Sequence, residues 1–307
     1  MKVVIAGGTG FVGKALTRAL AEKSHEIVVL TRQAPSRAEH PNMRFVAWDL
    51  FRIGGNWERE LDGADAVINL AGESMVARPW TDAQKKRLLE SRVRSVKAIY
   101  RAVEKAMRRP RIWLNASAVG YYGSRGDEIL DENSKPGTGF LSNLCLQWEE
   151  EVMKAEALKV RSIRLRIGLV LDEGGGVLTK MLPPFHLGLG GPLGDGQQWM
   201  SWIHRQDLIR LILFLLEQPD IYGAFNGTAL NPVKMNEFAK TLGKLVRRPS
   251  LFRVPAFVLK ALLGEMSEML LTGQCVLPQR AIQLGFSFQY PTLELALGAI
   301  LENKKKP

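Results

Sequence analysis

The chain has 307 residues, 46% of them hydrophobic and 24% charged, with a formal net charge of +11. This supplies enough apolar material for one large domain or two unequal ones, and no apolar run reaches the roughly 18 residues of a membrane span. Only two cysteines occur, Cys145 and Cys275, which excludes a disulfide framework or a cysteine metal site and fits a reducing, cytoplasmic setting.

Met1 to Ala6 is an apolar run of strand length, which leaves no room for a secretory leader. Gly7-Gly8-Thr9-Gly10-Phe11-Val12-Gly13 follows without a gap, and Lys14 to Lys23 reads as a helix. Strand, glycine turn and helix form the context of a dinucleotide site. The first glycine makes the tight turn, the second lets backbone amides approach a pyrophosphate, and the third lets the helix pack against the strand. The helix N-terminus then faces the phosphates with its partial positive charge. Gly7, Thr9, Gly10, Phe11, Val12 and Gly13 are therefore cofactor-site candidates. The second strand, Glu26 to Leu30, ends at Thr31-Arg32, and no acid occurs between Ile27 and Ala38. An NAD site usually places an acid there for the ribose 2′-hydroxyl. Arg32 stands there instead, and its guanidinium fork suits a phosphate, so NADP(H) is expected over NAD(H). The bland alternative is a solvated surface arginine.

A third strand is expected over Arg44 to Ala47, a short helical stretch around Trp57 to Leu61, and a fourth strand over Asp65 to Asn69. A long helix from about Thr81 to Met107 leads to a fifth strand, Ile112 to Ala116. A helix from about Phe140 to Ala157 leads to another strand, Arg161 to Arg166. This βαβ series implies an α/β fold, a Rossmann-type doubly wound parallel sheet. After about Leu171 the pattern loosens through Gly174-Gly175-Gly176 and the Gly/Pro-rich stretch from Gly188 to Gly196. Helices return at Asp207 to Glu217, Lys234 to Val246, Pro255 to Leu263 and about Thr292 to Leu301. The expected division is a cofactor domain of residues 1–171 plus about 205–228, and a smaller C-terminal substrate lobe of about 172–204 and 229–307. The basic residues (Lys85-Lys86-Arg87, Arg92, Arg94, Arg108, Arg109, Arg111, Arg247-Arg248 and Lys304-Lys305-Lys306) are scattered and not interleaved with aromatics. A solvated surface and an anionic cofactor account for them, so no nucleic acid and no membrane is expected as a partner.

Taken together, these motifs resemble the extended short-chain dehydrogenase/reductases, the NAD(P)-dependent sugar epimerase/dehydratase-like group. The glycine turn fits the group's Gly-x-x-Gly-x-x-Gly spacing. Asn69-Leu70-Ala71-Gly72 resembles its loop after the fourth strand, and Asn115-Ala116-Ser117 the strand end where the group keeps a catalytic serine. Gly194-Asp195-Gly196 followed by Trp202-Ile203-His204-Arg205-Gln206-Asp207 resembles its substrate-lobe signature. A closer likeness lies in Leu70-Ala71-Gly72-Glu73-Ser74, Arg78-Pro79-Trp80-Thr81, Glu90-Ser91-Arg92, Tyr121-Tyr122-Gly123, Leu187 to Gly194 and Gly273 to Pro278. These are similar to the branch called epimerase-family proteins, which carries a C-terminal domain of unknown function. The resemblance implies NADP(H) binding and a small-molecule substrate that it does not name. It implicates Thr31 and Arg32 at the adenosine ribose, Leu70, Ala71 and Gly72 along the cofactor, and Asp49 against the adenine. Arg92 stands where the wider group keeps an asparagine, and is either a phosphate partner or a helix-surface ion pair. Asp49 is alternatively a strand-end turn residue.

Hydride chemistry in this superfamily uses a Tyr with a Lys four residues later on one helix face, the ammonium lowering the phenol pKa. None of the five tyrosines has a Lys at that spacing. On the helix that should carry the pair, the Tyr place falls near Leu141 or Ser142 and the Lys place near Cys145 or Leu146. Two readings follow. Either Ser117, Tyr121 and Tyr122, beyond the fifth strand, do the proton work of an atypical oxidoreductase or epimerase-like enzyme, or they shape a pocket wall in a non-catalytic NADP(H)-binding sensor or scaffold. His204 with Asp207 is either an acid/base pair or a helix cap with a packed histidine, with Asp207 as the cap. His186 is equally ambiguous. Asp127, Glu128, Asp131 and Glu132 read as a solvated acidic loop and no metal site, and Trp199, Met200 and Trp202 as core or pocket lining.

Overall fold

Runs of β-branched and aliphatic residues dictate the centre of the molecule. In a computed structural model, which describes residues 1–33, 39–49 and 54–303, they form the strands of one sheet. The Lys304-Lys305-Lys306 cluster lies outside the described residues. In chain order the strands are β1 (Lys2–Ala6), β2 (Glu26–Thr31), β3 (Met43–Ala47), β4 (Ala66–Asn69), β5 (Ile112–Ala118), β6 (Ile129–Leu130), β7 (Arg161–Ile167), β8 (Leu169–Asp172), β9 (Trp199–Met200), β10 (Trp202–His204), β11 (Gly223–Gly227), β12 (Val233–Lys234) and β13 (Cys275–Val276). The helices are α1 (Phe11–Glu22), α2 (Asp82–Lys105), α3 (Phe140–Met153), α4 (Gly176–His186), α5 (Arg205–Glu217), α6 (Met235–Leu245), α7 (Ala256–Leu263), α8 (Glu268–Leu271), α9 (Gln279–Gln283) and α10 (Leu293–Asn303). No described helix is long and apolar enough to cross a membrane.

Seven strands make one sheet in the order β11-β7-β5-β4-β1-β2-β3, and every pairing within it is parallel. The order reverses direction at β1, the topological switch point of a doubly wound Rossmann-type fold, and ligands of such sheets bind beyond the strand C-termini. The strand faces alternate as their sequences do. Val3, Ile5, Ile27, Val29 and Ile68 pack under α1 and α5, whereas Val4, Val28, Leu30, Val67 and Trp113 pack against the layer of α2 and α3. β11 was not expected from sequence: Gly223-Ala224-Phe225-Asn226-Gly227 has too few β-branched residues to announce a strand, yet all five are buried beside β7.

Residues 169–204 and the segment after β11 build a third apolar cluster from Leu178, Phe185, Trp202, Phe238, Leu242 and Leu297. α4 falls where only a loose Gly/Pro-rich region was expected, and it carries Pro183 and Pro184 in its last turn. Trp202 and Met200 belong to this core, while Trp199 is partly buried and donates Nε1–H to Asp127 at 2.7 Å. Three two-stranded ladders, β8–β10, β9–β12 and β6–β13, join the parts, the last bringing Cys275-Val276 alongside Ile129-Leu130. The expectation of a solvated acidic loop fails at Glu132. It is buried, its two carboxylate oxygens accept the backbone N–H groups of Asn226 at 2.9 Å and Arg280 at 3.2 Å, and burial raises its pKa.

Candidate functional site

β1 delivers the chain into the glycine turn, and α1 leaves it. Gly7 has φ +80, and a Cβ there would lie 2.7 Å from the carbonyl carbon of Leu70, so the turn and the loop after β4 touch backbone to backbone. Gly13 is pressed against Gly7 and Gly8 with no room for a side chain. The N-cap of α1 is Gly10, which offers no side-chain cap, and no acid occupies the first turn. The first amides of the helix, which lack intrahelical acceptors, therefore stay available to an anion.

A cleft of about 1510 Å³ opens over this turn. Gly7, Thr9, Gly10, Thr31, Arg32, Asp49, Leu70, Ala71 and Gly72 line it, all of them sequence candidates. Arg32 is exposed at its edge, and the hydroxyl of the buried Thr31 donates to the Gln33 carbonyl at 3.1 Å. Phe11 and Val12 do not line it. Phe11 turns its ring to the lobe, against Gly175 and under the Arg205 guanidinium at 5.0 Å, and Val12 packs on the core.

The opposite wall was not anticipated. Arg87, Glu90, Ser91 and Arg94 of α2 line the cleft together with Arg78. The spacing of 87, 90, 91 and 94 is the one-face periodicity of a helix, a signal present in the sequence. Arg87 and Arg94 were assigned to a solvated surface and an anionic cofactor without being placed at this wall; Arg94 pairs with Glu90 at 3.0 Å beside the cleft. Trp48 and Trp57 meet edge to face at 5.7 Å beneath this wall.

The loop Leu70–Ser74 is fixed by buried polar groups. Asn69 donates to Asn115 Oδ1 at 2.7 Å and Ser95 Oγ at 3.1 Å, and its own Oδ1 accepts the Ala71 N–H. Arg92 corrects the alternative of a helix-surface ion pair. It is buried and does not line the cleft. It donates to the carbonyls of Leu88 at 2.9 Å and Glu73 at 3.1 Å, under Gly72 and beside the Trp148 ring, and burial lowers its pKa. Its job is to hold the loop.

At the end of β5 the three hydroxyl candidates separate. Ser117 is buried and donates to Glu149 Oε1 at 2.6 Å. Arg166 grips the same carboxylate with two hydrogen bonds, at 2.9 and 2.8 Å. Tyr122 has no exposed surface; its hydroxyl donates to Asn226 Oδ1 at 2.7 Å and accepts from Arg166 at 3.0 Å, and burial pushes its pKa up to about 12. The expectation that Ser117 and Tyr122 face a substrate is thereby corrected: both hydroxyls are engaged inside a closed polar network. Tyr121 remains partly exposed, its ring 3.4 Å under the Arg166 guanidinium, and its hydroxyl makes no hydrogen bond among the described residues. The place of the usual Tyr-Lys pair is packed shut. Leu141 abuts Gly120, and the Cys145 thiol lies 3.7 Å from the Ala118 carbonyl, its pKa pushed up to about 12 by burial.

The remaining candidates are structural. His204, not Asp207, caps α5: its Nδ1 accepts the Gln206 N–H at 3.1 Å, and its ring lies 3.8 Å from that of Tyr290. Asp207 instead accepts the N–H groups of Gln289 and Tyr290 at 2.9 and 2.8 Å. His186 is exposed at the end of α4.

A parallel sheet with its switch point at a glycine turn, an uncapped helix and a long cleft defines a dinucleotide-binding α/β protein. The model of the NAD dependent epimerase/dehydratase family matches residues 3–226, and that of a Domain of unknown function (DUF1731) matches residues 254–300. The chain belongs to that epimerase/dehydratase family and carries the second domain at its C-terminal end. It is 42% identical to the Epimerase family protein SDR39U1 homolog, chloroplastic, of Arabidopsis thaliana, over 98% of this chain and 87% of that one. It is 38% identical to Epimerase family protein YfhF of Bacillus subtilis (strain 168), over 99% of each. The crystal structure of human epimerase family protein SDR39U1 (isoform 2) with NADPH superposes with a TM-score of 0.88 at 34% identity, covering 99% of this chain and all of that one.

Proposed function

We propose that the chain binds NADPH and works as an atypical reductase or epimerase-like enzyme on a small carbonyl compound, with Tyr121 as its proton donor. The observation that carries the cofactor reading is the uncapped N-terminus of α1 opening on the same cleft as Arg32. The α1 amides and Thr9 suit the pyrophosphate, Arg32 the 2′-phosphate and Asp49 the adenine. The human relative solved with NADPH supports that choice.

When bound, NADPH supplies the hydride. The chain must then provide a proton at the carbonyl oxygen and tolerate the anion left behind. Tyr121 is the candidate whose hydroxyl is uncommitted, and the Arg166 guanidinium is stacked on its ring. Glu149 holds Arg166 in place through two hydrogen bonds, so the cation is pre-set. A second reading, an NADPH-binding sensor or scaffold, is favoured by the engaged Ser117 and Tyr122 hydroxyls and the apolar Leu141 and Cys145.

Calorimetric titration with NADPH and NADH, followed by NADPH oxidation against a panel of carbonyl compounds and nucleotide sugars, separates the readings. Turnover that falls about a hundredfold in kcat on Tyr121→Phe, with NADPH affinity kept, supports the enzyme. Tight NADPH binding without turnover across the panel supports the sensor or scaffold.

A further inference from the structure

Large apolar side chains normally leave water when a fold offers them the chance. In the lobe, two segments far apart in sequence fail to bury theirs. Leu187 is 75% exposed and Leu189 is also exposed, in the loop after α4; Leu251 is 80% exposed and Phe252 is also exposed, in the stretch before α7. The backbone ties the two stretches together. Phe252 N–H donates to the Gly190 carbonyl at 3.3 Å, Val254 N–H to Pro192 at 3.0 Å, and Arg248 Nε to His186 at 3.2 Å. α7 continues the surface: of AFVLKALL only Leu259 is buried, and Phe257 and Leu262 stand 73% and 75% exposed.

The charges on these stretches have one sign. Residues 174–194 and 238–264 contain no Asp or Glu, yet they carry Lys180, Lys240, Lys244, Arg247, Arg248, Arg253 and Lys260. Leucines and phenylalanines protruding from stretches that carry Lys and Arg and no carboxylate match the boundary between anionic headgroups and acyl chains. Long basic side chains can lie along the apolar surface while their charges reach the phosphates. Against the expectation of no membrane partner, we infer that this face, built by the 187–193 loop, the 251–254 stretch and α7, docks peripherally on an anionic phospholipid surface. The contact is laid on the bilayer and does not span it.

The test is co-sedimentation of the full chain, with NADPH present, with vesicles of phosphatidylglycerol and phosphatidylcholine against vesicles of phosphatidylcholine alone. Binding to the anionic vesicles that weakens with salt is expected. The combined substitutions Leu251→Ser, Phe252→Ser and Phe257→Ser keep every charge, and should weaken that binding at least about tenfold while NADPH affinity stays unchanged. Equal binding by this variant would mean that net charge alone attracts the vesicles, and would overturn the inference. So would absence of the chain from the anionic vesicle pellet. Size-exclusion chromatography of the same two proteins covers the other occupants: self-association that the substitutions abolish, without vesicle binding, would assign the face to a second copy instead.

Discussion

At the scale of single residues, position in the network decides what a side chain does. Ser117, Tyr121 and Tyr122 sit within six positions of one another, yet only Tyr121 keeps its hydroxyl uncommitted. The sequence shows that three hydroxyls follow β5. It does not show that Glu149, 32 positions away, accepts one of them, or that Asn226, 104 positions away, accepts another. Arg32 could be nominated from the sequence because its place at the end of β2 and the missing acid are both local signals, and the structure sets it at the edge of the cleft. Arg32→Ala should cut the preference for NADPH over NADH about tenfold or more, as read from titrations with both nucleotides. The Glu149–Arg166 pair is buried and doubly hydrogen-bonded. Removing one partner leaves the other charged and uncompensated, so Arg166→Met should cost about 3–5 kcal/mol in urea unfolding.

At the scale of elements, local signals were read well and long-range ones were not. β1, the turn and α1 lie within 22 residues, and each step constrains the next, so the strand–turn–helix was evident. β11 was hidden because its strand character comes from burial beside β7 and not from its own composition. The cap of α5 was assigned to Asp207 because Asp is a strong capping type, but a neutral histidine one turn earlier supplies the acceptor. This has a pH consequence. Burial lowers the His204 pKa, so the unfolded chain binds the proton more readily than the folded one. Stability is full above the ordinary histidine value of about 6.5 and is lost as pH falls through the folded value. His25, also lowered by burial, acts in the same direction. Denaturation midpoints should fall between pH 8 and pH 5. His204→Asn, which keeps an acceptor for the Gln206 N–H, should flatten part of that slope at a cost of about 1 kcal/mol or less at pH 8.

At the scale of the whole molecule, the C-terminal segment is bound into the dinucleotide domain. Glu132 joins β11 to the start of α9, Asn226 Nδ2 donates to the Leu277 carbonyl, and β13 pairs with β6. Glu132→Ala would leave the Asn226 and Arg280 amides without acceptors, and should lower stability by about 2 kcal/mol, seen as a lower urea midpoint with an unchanged slope. None of this was visible in the sequence, where Glu132 looks like one more carboxylate in an acidic loop and its partners lie 94 and 148 positions downstream. The same connectivity bears on how the chain emerges during synthesis. The outermost strand of the sheet is made after the first part of the lobe, so until residue 227 leaves the ribosome β7 is an open edge, with its hydrogen-bonding groups offered to any passing strand. Nascent chains halted between Ile167 and Gly223 should therefore depend most on chaperones, and those extended past Gly227 much less.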